Sequence, residues 1–306
     1  MRILIAGELN VDLVLQNYHS FPSLGREVLV DDVSLTLGSA SAICAAGLAR
    51  LGNQVAFAGK LGCDSWGDLC MDSLAKLGID TSLVLRDSAI KTGITVSIAS
   101  ARDRALVTYL GSIGALQTAD IPKEKLRDYR HLHISSFFLQ QALRPDVKSM
   151  LAAAHGYGVT TSLDPGFDPA EEWGRDLLDV LTEVDIFLPN ELELERITRR
   201  TDCIEGLRAL QNGRTVTVAK LVAAGCLTLQ NGGPLCISSF PVSAIDTTGA
   251  GDSFNAGFLH AWLRRQPLAE AMRFGAACGA LSTQGLGGVA TQATEAQAIE
   301  FIAGNS

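Results

Sequence analysis

Short apolar runs alternate with stretches of helical period along most of the chain, the pattern of a layered α/β fold with a mostly parallel sheet. Residues 3–6 read as a first buried strand and 55–58 as the next. Between them, 40–51 reads as a helix of small residues closed by Gly52, and 66–77 as a second helix closed by Gly78. Further strands are predicted at 131–135, 159–163, 185–188 and 215–219, with helical stretches between most of them. Residues 226–229 and 235–239 flank Asn231-Gly232-Gly233, a hairpin signal. Residues 240–245 read as one more strand. Phe254, Phe258 and Trp262 then recur at every fourth position, the spacing of a helix face, and Thr294 with Gln297 reads as the capping box of a last helix.

Two regions break the alternation. Residues 13–37 and about 89–111 carry strand-like mixtures of polar and apolar positions with no helix between neighbouring strands. No linker, repeat or low-complexity stretch divides the chain, so 1–306 reads as one domain.

Composition narrows the class. Of 306 residues, 47% are hydrophobic and 19% charged, enough apolar material for a substantial core. A net charge of −8 argues against a nucleic-acid partner but leaves an anionic substrate open, since a helix N-terminus and a few cations hold phosphate in an acidic protein. The 7 cysteines are odd in number and form no C-x-x-C pair, as expected of small buried residues in a reducing cytoplasm. The apolar start soon meets Glu8, Asn10 and Asp12, too short for a signal peptide, and no window approaches the ~18 uncharged residues of a membrane span.

The densest chemistry lies in Asp246-Thr247-Thr248-Gly249-Ala250-Gly251-Asp252. Glycines where an extended run turns into a helix expose unpaired N–H groups at the positive end of the helix dipole, a site for an anion. Asp252 at the same mouth would repel a phosphate, yet it is placed to take a proton from a hydroxyl attacking phosphorus. The chemistry predicted is phosphoryl transfer to an alcohol.

Other segments are read with two meanings each. Asn10 and Asp12 follow the first strand, where they suit either a turn or hydrogen bonds to sugar hydroxyls. The small residues from Gly38 and Ser39 to Ala42 allow close approach of a substrate or tight helix–sheet packing. Asn190 and Glu193 pair as a helix N-cap and equally as oxygen ligands on the magnesium side of a phosphate site. Lys220 reaches either a phosphate or solvent. The run from Asp164 to Pro169 reads first as a proline-rich turn, and second as part of a ligand crevice. No G-x-x-x-x-G-K-[ST] loop is present, the loose Gly285-x-Gly287-x-x-Ala290 fingerprint follows no strand, and His131-x-His133 lacks a third ligand nearby in sequence.

The D-T-x-G-A-G-D pattern at 246–252, with its strand–helix setting near the C-terminal end, resembles the signature of the ribokinase-like (PfkB) carbohydrate kinases. Matching segments run in the family's order from Gly7 to Gly288. The resemblance implies a layered α/β/α domain with a mostly parallel sheet, and a small β-sheet lid formed by 13–37 and 89–111. It implies ATP-dependent phosphorylation of a sugar or sugar-like alcohol, with Asp252 as base and the Gly249-Ala250-Gly251 turn as anion hole. Sugar binding would fall to Asn10, Asp12, Gly38 and Ser39. The nucleotide side would comprise Asn190, Glu193, Lys220, Gly225, Ala276 and Gly279, with Mg2+ near Asn190 and Glu193, reached through water. Some members bind a monovalent cation, K+ here, near the positions of Asp246 and Thr248, and lid-to-lid homodimers occur.

The chain also departs from the family. Ser39 replaces the second glycine of G-G-x-x-x-N and Ile43 its Asn, Val222 replaces a glycine of the nucleotide segment, and Ala276 stands where Asn or His is frequent. These departures keep a second reading alive, a catalytically silent sugar- or nucleotide-binding regulator on the same fold. They also leave a ketose, an aldopentose or a sugar acid open as the acceptor, with nucleosides less favoured.

Overall fold

The structure is a computed structural model that describes residues 1–18, 20–99 and 104–305. Residues 19 and 100–103, which belong to the two expected lid segments, lie outside the described residues.

In chain order the first elements are strands β1 (Arg2–Ala6), β2 (Asn10–Gln16) and β3 (Asp32–Leu37), then helix α1 (Ala40–Arg50). Strand β4 (Gln54–Gly62), helix α2 (Ser65–Lys76) and strands β5 (Asp80–Asp87), β6 (Gly93–Ala99) and β7 (Arg104–Tyr109) follow. The middle of the chain supplies β8 (His131–Ile134), α3 (Val147–Gly156), β9 (Thr160–Leu163), α4 (Asp176–Val180) and β10 (Ile186–Phe187). Next come α5 (Glu191–Thr198), α6 (Cys203–Ala209), β11 (Val216–Thr217), β12 (Ala219–Lys220), β13 (Cys226–Gln230) and β14 (Gly233–Ile237). Helices α7 (Ala250–Leu263), α8 (Leu268–Ser282) and α9 (Glu295–Gly304) close the chain.

Seven strands form a parallel sheet in the order β11-β10-β9-β8-β1-β4-β5. The neighbouring strands β1 and β4 are apolar on both faces, as a doubly covered parallel sheet requires. Along β1, Ile3 and Ile5 face a core shared with α1, α2, α7 and α8, whereas Leu4 and Ala6 face a second core built on α3 to α6. This is the layered α/β/α fold that the alternation predicts. Because β1 leads to β4 on one side and β8 leads to β9 on the other, the chain reverses its direction of winding between β1 and β8. The carboxyl ends of the strands at such a reversal form a ligand crevice.

A second sheet, β3-β2-β6-β7, stands beside this crevice, with β2 parallel to β6 and the other pairs antiparallel. It falls in the two regions that break the helix–strand alternation, but begins at Asn10 rather than at 13. Two predicted strands differ. The run 215–219 is broken at Val218, so that β11 ends the large sheet and β12 starts a three-stranded sheet with β13 and β14. Residues 240–245 form no strand: Pro241 has no N–H to donate, Ile245 is exposed, and the Ile245 and Asp246 N–H groups both reach the Thr283 carbonyl at the end of α8. No helix among the described residues is long and apolar enough to cross a membrane.

Candidate active site

Helix α7 starts at the expected place. Gly249 is its N-cap with φ 71°, a left-handed conformation, and the first bond of the helical ladder runs from Ser253 N–H to the Gly249 carbonyl at 2.8 Å. The N–H groups of Ala250, Gly251 and Asp252 therefore precede that ladder. One of them is partly engaged, since Ala250 N–H reaches the Thr247 carbonyl at 3.3 Å. Asp252 lies half-buried in this first turn. Asp246 fixes the approach: its carboxylate accepts from Thr248 N–H at 2.8 Å and from Gly287 N–H at 2.9 Å, tying the turn to the loop after α8.

Asn10 and Asp12 lie on β2, not in a turn after β1. Strand register pairs Asp12 with Thr36 and Thr95, and Thr95 with Thr108, which puts these side chains on one face of the small sheet. Asn10 is buried and donates to Asp12 Oδ1 at 3.0 Å. A β-carbon on Gly38 would overlap the Asp12 carboxylate, so the glycine is what lets the two chain segments meet.

The departures at 39 and 222 share a backbone cause. Ser39 has φ 75° and Val222 φ 47°, both in the region that favours glycine, and a β-branched residue pays most there. Ser39 is held by two hydrogen bonds: its hydroxyl donates to the Glu8 carbonyl at 2.8 Å and accepts from Ala42 N–H at 2.9 Å as the α1 cap. Val222 has no such support in view and is exposed. Gly225, three residues on, has φ 97° and packs its backbone against Ile237 and Ser239 at the end of β14.

Glu8 sits under the start of α1. Its carboxylate accepts from Ser41 Oγ at 2.5 Å, Ser41 N–H at 3.2 Å and Gln140 Nε2 at 3.1 Å. Burial raises its pKa to about 7, against the pull of hydrogen bonds from Ser41 and Ser136.

On the other side of the crevice, Asn190 and Glu193 form a reciprocal cap for α5: Glu193 N–H donates to Asn190 Oδ1 at 2.9 Å, and Asn190 N–H to Glu193 Oε2 at 2.8 Å. Burial and then the Asp164 charge raise Glu193 to about 8, with Lys220 opposing. Lys220 is not solvated. Its side chain is mostly withdrawn from solvent, and its ammonium pairs with Asp164 Oδ2 at 2.6 Å and donates to Asn255 Oδ1 at 3.2 Å. Burial works against this charge, but Asp164 and Glu193 outweigh it and hold the Lys220 pKa above its usual value.

The Asp164–Pro169 segment divides. Asp168 organises a turn, accepting from the N–H groups of Ala170, Glu172 and Trp173. Asp164 belongs to the charged cluster below α7. In α8, Ala276 is buried, and a β-carbon on Gly279 would come within 3.1 Å of the Ala250 carbonyl, so this stretch is packed tightly on α7. His131 and His133 are core residues joined through Ser162 Oγ, with burial lowering their pKa values to about 3 and about 4.

Sequence reasoning brought together Asp252, the 249–251 turn, Asn190, Glu193 and Lys220 on one side, and Asn10, Asp12, Gly38 and Ser39 on the other. It placed Asp164 first in a proline-rich turn and only second in a ligand crevice, and it passed over Glu8 and Asn255. Only Asn255, three residues past Asp252 inside the same motif, carried a positional signal.

The family model for "pfkB family carbohydrate kinase" matches residues 2–295. The chain is 30% identical over 307 residues to a ribokinase of Haemophilus influenzae, covering 97% of each chain. It is 30% identical over 286 residues to an ATP-dependent ribose-1-phosphate kinase of Halopiger xanaduensis, covering 92% of each. Its fold superposes with a TM-score of 0.86 on a putative ribokinase II of E. coli in complex with ATP and Mg2+, at 21% identity and 99% coverage of each chain.

Proposed function

The chain belongs to the pfkB family of carbohydrate kinases, and from that premise we propose that it transfers the γ-phosphoryl group of ATP to a hydroxyl of a sugar or sugar-like molecule with Asp252 as general base. The observation that carries this reading is the position of Asp252: a half-buried carboxylate in the first turn of α7, beside backbone N–H groups that suit an anion.

In this reading Asp252 takes the proton of the acceptor hydroxyl as it attacks phosphorus. Backbone N–H groups around Gly249, Ala250 and Gly251 meet the negative charge that grows on the transferred group, and removing one such donor typically costs ~10²–10³ in rate. Asn10, Asp12, Gly38 and Ser39 form the sugar side, where the Asp12 carboxylate and the Asn10 amide suit paired hydroxyls. The Ser39 hydroxyl is already spent on the α1 cap, so its contribution falls to backbone.

Lys220, Gly225, Ala276 and Gly279 line the nucleotide side. Asn190 and Glu193 present oxygen donors, as Mg2+ prefers, and because each is also engaged in the α5 cap they suit contact through water better than direct ligation. Bound Mg2+ would neutralise charge on the phosphates. The E. coli neighbour bound to ATP and Mg2+ supports both partners. We extend the reading to K+ near Asp246 and Thr248, where the Asp246 hydrogen bonds draw two loops together.

We read the whole chain as one kinase domain whose small sheet acts as a lid that excludes water as a competing acceptor. The far face of that sheet carries Leu13, Val33, Leu35, Val96 and Val107 in register, several of them exposed, and we assign it to a homodimer contact. Loss of the dimer in Leu35→Glu, read by light scattering, tests this part.

The reaction itself is tested by following ADP release across a panel of ketoses, aldopentoses, sugar acids and nucleosides. Turnover on one class is expected. Tight binding of a sugar or nucleotide with no turnover on any would instead identify the silent regulator.

A further inference from the structure

Below the phosphate turn, three side chains from three elements close a triangle. Asp164 follows β9, Lys220 ends β12, and Asn255 lies one turn into α7. Asp164 Oδ2 accepts from Lys220 Nζ at 2.6 Å and from Asn255 Nδ2 at 2.6 Å, while Asn255 Oδ1 accepts from Lys220 Nζ at 3.2 Å. Asp164 is 5% exposed and Asn255 fully buried. The ammonium lies directly behind the turn: a β-carbon built on Gly251 would stand 3.6 Å from Nζ.

We propose that Asp164 and Asn255 are positioning residues for phosphoryl transfer, holding the Lys220 ammonium behind the 249–252 turn so that its charge acts on the phosphoryl group there. This inference rests on the kinase reading above.

Three arguments lead to it. First, a buried ion pair is weak as a source of stability, because desolvation offsets the attraction, and an apolar pair of similar volume usually serves as well. Its place against the backbone of the turn is what a functional role explains. Second, Asp164 and Asn255 occupy two of the three N–H donors of the ammonium, so one remains for an oxygen of a bound phosphate. Third, the carboxyl groups of Glu193 and Asp252 also act on the Lys220 charge, after that of Asp164, which alone is in the 2.6 Å contact. The clamp keeps the cation near the turn, a fixed arrangement of charge that needs no rearrangement during reaction.

The test compares kcat, KM for ATP, KM for the acceptor and thermal stability in the full chain for Asp164→Asn, Lys220→Met and the double variant. Each single change is expected to lower kcat by about 10- to 100-fold with both KM values within about threefold. The double variant is expected to be about as slow as the slower single one, because both changes break the same device. Asn255→Ala leaves the ion pair in place, so it keeps the comparison open if Asp164→Asn does not fold, and it should lower kcat by about tenfold. Lower thermal stability with kcat unchanged would show a structural pair only and overturn the proposal, as would losses that multiply in the double variant. If the unaltered chain phosphorylates no acceptor, the kinase reading itself fails. If it does, and Lys220→Met keeps its kcat, only this inference fails.

Discussion

Ile43 on α1 presses against Gly249 at the start of α7: a β-carbon on Gly249 would stand 2.9 Å from Ile43 Cγ2 and 2.8 Å from the Gly288 Cα. Helix α1 and the 249–252 turn are therefore in direct contact. The residue that replaces the family's sugar-binding Asn is 3% exposed and fills this junction with methyl groups.

Gly249→Ala should consequently damage the turn twice, through a side chain at φ 71° and through collision with the Gly288 backbone. We expect a loss of about 1–3 kcal/mol in denaturant unfolding. A fall in kcat of about 10²-fold should accompany it, since small displacements of a reacting group are costly. An alanine variant with unaltered kcat would contradict the role given to the turn.

The fold was legible because both sheets follow from local pattern: β1 and β4 are apolar on both faces, and the small sheet occurs where helices are missing. Its failures have physical causes. Residues 240–245 have the composition of a strand but meet no strand partner, and 215–219 is split at Val218 between two sheets. At the site, the turn and the Asn190–Glu193 pair were readable because their residues are close in sequence. The Asp164–Lys220–Asn255 triangle was not, because its members are brought together only by packing, from 35 to 91 positions apart. The glycine departures gained meaning only with torsion angles, which show Ser39 and Val222 in backbone shapes made for glycine.

Glu193→Gln separates the cap from the metal role. Gln serves as well as Glu at this position of a capping box, so thermal stability should not fall. If the carboxylate holds magnesium through water, the Mg2+ concentration needed for half-maximal rate should rise by about 10- to 100-fold. A Mg2+ titration of ADP release measures this, and an unchanged midpoint would reduce Glu193 to a cap.

Glu8 predicts a pH dependence of stability. Its folded pKa, about 7, lies above the ordinary value of 4.5, so between these values the folded state keeps a proton that the unfolded state has lost. Its contribution is full below about pH 4.5, declines as pH rises and is gone above about 7, a change on the order of 3 kcal/mol. Glu8→Gln mimics the protonated form. Denaturant unfolding from pH 4.5 to 8 should show the unaltered chain losing stability relative to this variant, and parallel curves would contradict the buried neutral carboxyl.

Asp252 is the residue on which the proposed transfer depends most. The direct measurement is transfer of a labelled γ-phosphoryl group from ATP to the acceptor found in the substrate panel, comparing the unaltered chain with Asp252→Asn. The variant keeps the shape of the side chain and should still bind ATP and acceptor. General-base catalysis predicts that its kcat falls by about 10²–10⁴-fold with KM for the acceptor little changed. A variant that transfers phosphate at the rate of the unaltered chain would contradict the proposed mechanism.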